Sequence, residues 1–369
     1  MAVVTLDSIV LNTIPADQIH EDLMDKIFDV SPVDRPFCDA VGTRRSTSRS
    51  VDWVREQLAA ASADNASIEG ADAADDDNQT GERLYNYHQL SDKVVKISDR
   101  ASNVDTVGAS DELIKQVKKR QKELRRDEEA RYCSRGVAVA GVTATTASQT
   151  AGIGSWIGVK KVVEGSEVAS NTSARGAASV DPVLSQDGTG GGFPTTAATN
   201  AANQTLTETD VKNMMRAAFE NGGEPTMAMS TPTVIELFSD YLFTSSARVA
   251  TLQSNAGQGN RTDNGTGGGT SGGGVTAQGA VNIFVTNFGT LELVPNRFQP
   301  ATDTDEADLY LIDPTSWERS YLSGYETKPL ARTGTAETRQ MTVDFALCAL
   351  NPEANAVVAD IATDTPMVA

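Results

Sequence analysis

The sequence predicts an α+β fold. One long charged segment, ASDELIKQVKKRQKELRRDEEARYCSR, has helical character; VDWVREQL, AVNIFVTN and ADLYLID have strand character; and TETDVKNMMRAAFENGG, TMAMS and TPTVIELFSDYLF read in succession as helix, strand and helix. At 369 residues the chain has room for two domains, or for one large domain with appendages.

Residues 1–50 hold an amphipathic segment, IHEDLMDKIFDV, and then SPVDRPFCDAVG, whose two prolines impose an extended path, so this part reads as an arm. In VDWVREQL, Val51 and Trp53 share a face with Arg55, while Val54 and Leu58 share the other with Asp52 and Glu56. Residues 59–82 carry seven acidic side chains, among them Asp75, Asp76 and Asp77, and no Lys or Arg. Strand character returns in TGERLYNYHQLSDKVVKISDR, from Thr80 to Arg100, but neither face is consistently apolar. Odd positions mix Tyr85, Tyr87 and Val95 with Gln89 and Lys93; even positions mix Leu84 and Leu90 with Asn86, His88 and Asp92. The expectation is a long hairpin over 51–100 with an acidic, flexible tip. A two-stranded ribbon is marginally stable alone in water, so both half-apolar faces are expected to be covered by an adjacent copy. Trp53, Tyr85, Tyr87, Asp75, Asp76 and Asp77 are the candidate contacts.

The best helix spans 110–135, with Ser110 as expected N-cap and Asp111 and Glu112 in the first turn, where the helix dipole favours anions. Leu113, Val117 and Leu124 form a narrow apolar stripe. Lys115, Lys118, Lys119, Arg120, Lys122, Arg125 and Arg126 stand against Glu123 alone between 115 and 126, so the rest of the helix is wet and positive. That patch reads either as a solvated face or as one that meets a polyanion or the acidic tip of another copy. Residues 137–203, rich in Ala, Gly, Ser and Thr and punctuated by GIGSWIGV, predict loops and short strands. Thr207 is the expected cap of the next helix, Gly222 or Gly223 its stop, Thr231 the cap of the one after, and Pro232 its first residue. Residues 251–279, with DNGTGGGTSGGG, read as a flexible excursion. AVNIFVTN and TLELVPN predict a hairpin, ADLYLID a strand, and ETRQMTVDFALCALNPEANAVVADI one or two late strands.

A net charge of −19 and a pI near 4.5 argue against a broad nucleic-acid-binding surface. Cys38, Cys133 and Cys348 have no paired spacing for disulfides or zinc. No signal peptide and no membrane-length apolar run is evident, so the chain is expected to be soluble and made inside the cell. His20 and His88 lack metal-ligand spacing, no Gly-Lys dipeptide exists for a phosphate loop, and GIGSWIG departs from the dinucleotide fingerprint. Cys133 sits in a charged helix with no histidine near it and reads as a packing residue. Asp76, Asn78, Thr80 and Gly81 begin like a calcium loop, but its twelfth position is Tyr87 instead of Glu, so a solvated acidic loop is the better reading. No cofactor and no catalytic constellation is expected; the chain does not read as an enzyme.

The ordered phrases SPVDRPFCDAVG, VDWVREQL, EGADA, RLYNYHQL and DELIKQVKKRQKELRRDEEA, closed by LARTGTAETRQMTVDFALCALNPEANAVV, resemble the tailed-phage major capsid proteins of Hong Kong 97-type fold, in the branch typified by the SU-ten-like coat proteins. The resemblance covers most of the chain. It implies an N-terminal arm at 1–50, an extended loop at 51–100, and a peripheral domain at 101–205 that contains a spine helix at 110–135 and the Gly/Ala/Ser/Thr-rich insertion. It further implies an axial domain at 206–330 with the Gly-rich loop 251–279, and closing strands at 331–369 that return beside the spine helix. The implied function is a major capsid protein that assembles with itself as hexamers and pentamers into an icosahedral head around double-stranded DNA. Its implied location is the virion, after assembly in the host cytoplasm.

A separate scaffolding protein, a portal and a decoration protein are implied partners; DNA would lie nearby without sequence-specific binding, and no membrane is involved. The prototype of the fold cross-links through a lysine near the extended loop, whereas residues 59–82 contain none, so a non-covalent shell is expected. No long N-terminal helical extension that would act as a fused scaffold is expected, so scaffolding is expected to come from another chain. Two rivals make other predictions: a tail, decoration or surface-layer protein would form trimers, tubes or flat lattices, and a carboxylate-pair hydrolase would need acids around a pocket instead of in one loop.

Overall fold

The computed structural model describes residues 30–58, 61–70, 72, 81–104, 111–142, 145–163, 166–185, 191–244, 283–301, 305–332 and 334–368. Most of the arm's amphipathic segment, the excursion at 251–279, Ser110 and Asp75, Asp76 and Asp77 lie outside the described residues.

From a short helix α1 (Pro36–Ala40) and strand β1 (Gly42–Arg45) the chain enters a ribbon of β2 (Ser50–Arg55) and β3 (Glu82–Tyr87), then β4 (Gln89–Ser98), a turn of helix α2 (Asp99–Ser102) and the long α3 (Glu112–Tyr132). The small-residue stretch holds α4 (Ile153–Trp156), β5 (Lys161–Val163), β6 (Ser166–Val168), β7 (Ser173–Ala174), β8 (Val183–Leu184) and β9 (Pro194–Thr196), matching the loops and short strands expected of it. Then come α5 (Glu208–Glu220), β10 (Met227–Ser230), α6 (Pro232–Thr244), β11 (Ile283–Thr286), β12 (Gly289–Pro295), β13 (Glu306–Ile312), β14 (Trp317–Pro329), β15 (Ala336–Ala349) and β16 (Ala356–Ala362).

Two larger sheets organise the body. One has the order β1-β14-β15-β4, and α3 packs on β4 and β15. Its core gathers Leu113 and Leu124 of α3 with Tyr132, Phe37, Met341, Val343 and Phe345. The other has the order β11-β12-β10-β13-β16-β7. Val211 and Met215 of α5 and Val234 and Phe238 of α6 join Phe284, Leu291, Leu309 and Val358 of its strands in a second core. The central strands β13 and β16 are buried along their whole length, so both their faces are apolar apart from the buried acids Glu306, Asp308 and Asp360.

The stretch from Thr80 to Arg100 is two strands with different partners, which corrects the single hairpin expected over 51–100. β3 pairs antiparallel with β2, but β4 leaves the ribbon at His88 and pairs with β15 from Gln89↔Phe345 to Ser98↔Ala336. The inward parity switches at that break. Even positions Leu84, Asn86 and His88 are buried before it; odd Val95 is buried after it. Two clean alternations joined out of phase look like one strand with two half-apolar faces.

Asp111, not Ser110, caps α3: its carboxylate accepts the amides of Leu113 and Ile114, with its backbone still extended. Thr207 caps α5 as expected, and Gly222, at φ +80°, ends it. Pro232 opens α6, but the buried Thr231 hydroxyl makes no hydrogen bond, so that side-chain cap is not formed. The late strands also divide differently. β14, unanticipated from sequence, lies before residue 330 yet pairs with β15 beside α3, while β16 pairs with β13 in the other sheet. The boundary at 330 therefore cuts through a β-hairpin.

Candidate assembly surfaces

The ribbon has one face committed to its own chain. Val51, Trp53 and Leu84 are buried, and the Trp53 ring lies 5.5 Å from that of Trp156, which α4 presents together with Ile153 and Ile157. Asn86, fully buried, donates to the Leu347 carbonyl at 2.7 Å and accepts the Ala151 amide at 3.0 Å. Trp53 is thus withdrawn from the candidate contacts with a neighbour, because GIGSWIGV supplies the cover that another copy was expected to give.

The outer face is different. Tyr85 and Tyr87 are half-buried around Phe193, with ring centroids 4.8 and 5.4 Å from it. Asp52 and Arg83 pair across the ribbon, and Val54 is exposed. Beyond Arg55 and Glu82 the chain leaves the body: Leu58 is 94% and Ile68 82% exposed, and the acids Asp64, Glu69 and Asp72 are exposed as well.

The basic run of α3 is not a uniform patch. Lys115 bonds Glu112 at 3.1 Å and Arg120 pairs with Glu123, while the guanidinium of Arg125 lies over Tyr325 and that of Arg126 over Phe298. Lys118, Lys119 and Lys122 are exposed. Among the described residues no cluster of His, Cys, Asp and Glu forms a metal site, and no helix is long and apolar enough to cross a membrane.

A family model for the SU10 major capsid protein matches residues 4–362. The chain belongs to the SU10 major capsid protein family. It is 33% identical over 98 residues to the major capsid protein of Escherichia phage Phieco32, a match spanning 27% of this chain and 28% of that relative's length. Among solved structures, the capsid of a native GTA particle superposes with a TM-score of 0.54 at 10% identity, covering 97% of this chain and 100% of that one. The capsid asymmetric unit of cyanophage A-1(L) gives 0.54 at 12%, covering 95% and 99%. These likenesses establish the fold, which is the Hong Kong 97 type.

Two polar networks of this SU10-family chain went unnoticed in its sequence. At the end of α3, Glu128 and Glu129 are fully buried. Glu128 accepts the hydroxyls of Tyr321 and Tyr325 and lies 3.7 Å from Arg35. Burial, and then Glu128 itself, pushes both phenols far above their ordinary range, so they remain donors. Burial likewise pushes the Cys38 and Cys133 thiols far up and Cys348 up to about 12, so all three free cysteines are uncharged packing groups.

The second network centres on Arg135, which donates to Asp308 of β13 and to Asp360 of β16 at 2.8 Å, and bonds Asn200. Asn200 in turn donates to Glu306 at 2.6 Å. Buried acids inside two otherwise apolar strands, Glu306 and Asp308 in EADLYLI and Asp360 in AVVADIA, were the available signal, since a buried carboxylate needs a partner.

Proposed function

We propose that this chain is the shell-building subunit of a tailed, double-stranded DNA phage head, closing as hexamers and pentamers into an icosahedral wall in the virion. The observation that carries the reading is the family match over 4–362 on a Hong Kong 97-type fold. Within that reading, α3 and its four-stranded sheet form the peripheral domain, the six-stranded sheet with α5 and α6 forms the axial domain, and the ribbon beyond Arg55 is the extended loop. The outer ribbon face of Tyr85, Tyr87 and Val54 and the projecting Leu58 and Ile68 supply apolar surface that a neighbouring subunit can bury. The role is structural rather than catalytic. Assembly takes place in the host cytoplasm, with scaffolding, portal and decoration proteins as separate chains. Exposed Lys118 and Lys119 meet either a neighbour's acidic tip or the packaged DNA, and a broadly negative wall keeps that DNA from adhering.

The test is to express the full chain, measure its mass by size exclusion with light scattering at two salt concentrations, and image the largest species by negative-stain electron microscopy. Closed shells, or rings of five and six, are expected. Tubes or flat lattices, or a monomer that stays monomeric when the neighbouring phage genes are co-expressed, would overturn the reading. Boiled particles should run as a single band on a denaturing gel; a ladder of multimers would show covalent joining.

A further inference from the structure

From Val41 to Val51 the chain reads VGTRRSTSRSV, with three arginines, five hydroxyl side chains and no acid, although acids outnumber bases 50 to 31 overall. The stretch begins with β1, the edge strand of the four-stranded sheet, which pairs only with β14. All four residues of β1 are exposed, so the strand adds no side chain to the core. Successive side chains of a strand point to opposite faces, and Arg44 and Arg45 therefore stand on either side of the sheet edge. A turn follows, in which the Ser48 amide donates to the Ser46 hydroxyl at 3.4 Å, and it leads to the exposed Arg49.

These guanidiniums are poorly compensated. Among the described residues the Arg45 side chain has no partner, and Arg49 Nη2 donates to the uncharged carbonyl of Gly141 at 2.7 Å. Arg44 lies 3.7 Å from Glu318, but the two side chains are 39% and 37% exposed, so water and salt weaken that pair. The adjoining strand β14 adds Arg319, whose Nη2 donates to Thr43 Oγ1 at 3.0 Å and Nη1 to the Tyr321 hydroxyl at 3.3 Å, while its buried Nε has no acceptor. Of the four, only Arg44 has a carboxylate partner among the described residues. The basic run of α3 is the contrast, since Lys115 and Arg120 pair with carboxylates and Arg125 and Arg126 lie over aromatic rings. A charge that merely kept β1 from pairing with another strand could be of either sign. Arginines left open in an acidic chain, beside hydroxyl donors, fit phosphate oxygens, which the planar guanidinium fork binds in bidentate fashion.

We propose that the β1 edge and the turn after it form a local phosphate-binding surface, on which Arg44, Arg45 and Arg49 hold the backbone of duplex DNA without reading its sequence. The inference rests on the reading that the chain encloses duplex DNA, and it assigns the contact to this edge instead of to Lys118 and Lys119 of α3. A few contacts of this kind are weak and sensitive to salt, which suits a wall that is otherwise negative.

The test follows binding of a fluorescent DNA duplex of about 30 base pairs to the full-length subunit, by anisotropy, as salt rises from about 20 to about 80 mM. Three phosphate contacts, each adding about 0.9 to the logarithmic slope, predict that the association constant falls about 40-fold over this range. Arg44→Gln, Arg45→Gln and Arg49→Gln together should weaken binding at the lower salt and remove most of that dependence. Arg44→Lys, Arg45→Lys and Arg49→Lys, which keep the charge, should retain the slope, and Lys118→Gln with Lys119→Gln should leave binding unchanged. Absence of binding by the wild type, an unaltered slope in the glutamine variant, or a loss confined to the Lys118 and Lys119 variant would overturn the proposal. So would displacement of the DNA by poly-glutamate at equal charge concentration, which would mark a carboxylate-binding surface between proteins. Should the triple variant fail to fold, Arg45→Gln, whose side chain has no partner to lose, should reduce the slope by about 0.9 on its own. Shell formation is scored separately: shells whose subunits do not bind DNA refute this inference and leave the assembly reading standing, whereas arginine-dependent binding without shells does the reverse.

Discussion

The carboxylate of Glu129 accepts the backbone amide of Phe37 at 2.9 Å, across 92 positions of sequence. Its other oxygen accepts the Cys38 amide, also at 2.9 Å, while Asn296 donates at 2.8 Å to the oxygen that accepts Phe37. Phe37 and Cys38 lie in the first turn of α1, whose N-cap Arg35 offers no side-chain cap. Glu129 is therefore a helix cap supplied from another helix, and it fastens the root of the arm to α3. A five-residue helix could not persist without such an anchor.

Glu129→Gln should destabilise the subunit by about 2 kcal/mol, since one buried amide then faces an NH₂ group instead of an acceptor. Urea denaturation measures this. A change below about 0.5 kcal/mol would show that the arm root is held by Phe37 packing against Tyr132 and Trp317 instead.

His88 makes the fold sensitive to acid. The ring is buried, with Nδ1 3.0 Å from the Arg49 carbonyl, and burial lowers its pKa although Arg49 and Asp344 oppose the shift. The unfolded chain then binds the proton more readily. The contribution is complete above the ordinary imidazole value of about 6.5 and is lost as pH falls through the lower folded value. Between pH 7 and 5 the wild type should lose more melting temperature than His88→Gln, and parallel curves would remove His88 as the cause.

Glu306 acts with the opposite sign. Burial, reinforced by Asp360, raises its pKa, so the folded state favours the protonated acid. That contribution is present below the ordinary carboxylate range and is lost as pH rises through the folded value. Glu306→Gln, a mimic of the protonated form, should match or exceed wild-type stability at pH 8 and lose any advantage near pH 4. A variant clearly weaker at pH 8 would mean that the ionised carboxylate is needed by Asn200 and Arg135.

Much of this fold was legible because its signals are local. Thr207 and Gly222 mark the ends of α5, the apolar run of TMAMS marks a buried strand, and AVNIFVTN with TLELVPN forms its own hairpin. What stayed hidden depends on partners distant in sequence. The break at His88 has no Gly or Pro to announce it, since β4 is drawn away by ten residues of pairing with β15. WERSYLSGYETKP shows no clean alternation because its ends lie against different surroundings, buried at Trp317 and exposed at Pro329. Glu128 and Glu129 look like any acids of a charged helix until the hydroxyls and amides that bind them arrive from β14 and α1.

Trp53 and the tyrosines of the same ribbon should separate stability from assembly. Trp53→Ala empties a buried site against Trp156 and should cost about 3–5 kcal/mol of subunit stability. Tyr85→Ser with Tyr87→Ser strips half-exposed rings and should cost the subunit far less, yet lower particle yield in the electron micrographs. Normal shells from the tyrosine double variant would remove the outer ribbon face from the assembly interface.

Lys118 and Lys119 provide the corresponding test on α3. Lys115 and Arg120 already have carboxylate partners on the helix, and Arg125 and Arg126 lie over aromatic rings, so reversing those charges would disturb the subunit itself. Lys118→Glu with Lys119→Glu alters two exposed charges instead, and subunit stability should stay within about 0.5 kcal/mol of wild type. If these lysines meet a neighbour's acidic tip, the variant should fail to form shells, and reversing Asp64, Glu69 and Asp72 to lysine should restore them. If they face DNA, shells should form normally but retain less genome as salt rises, because each lost phosphate contact reduces counterion release. A normal yield of filled particles at every salt concentration would leave the pair as a solvated helix face.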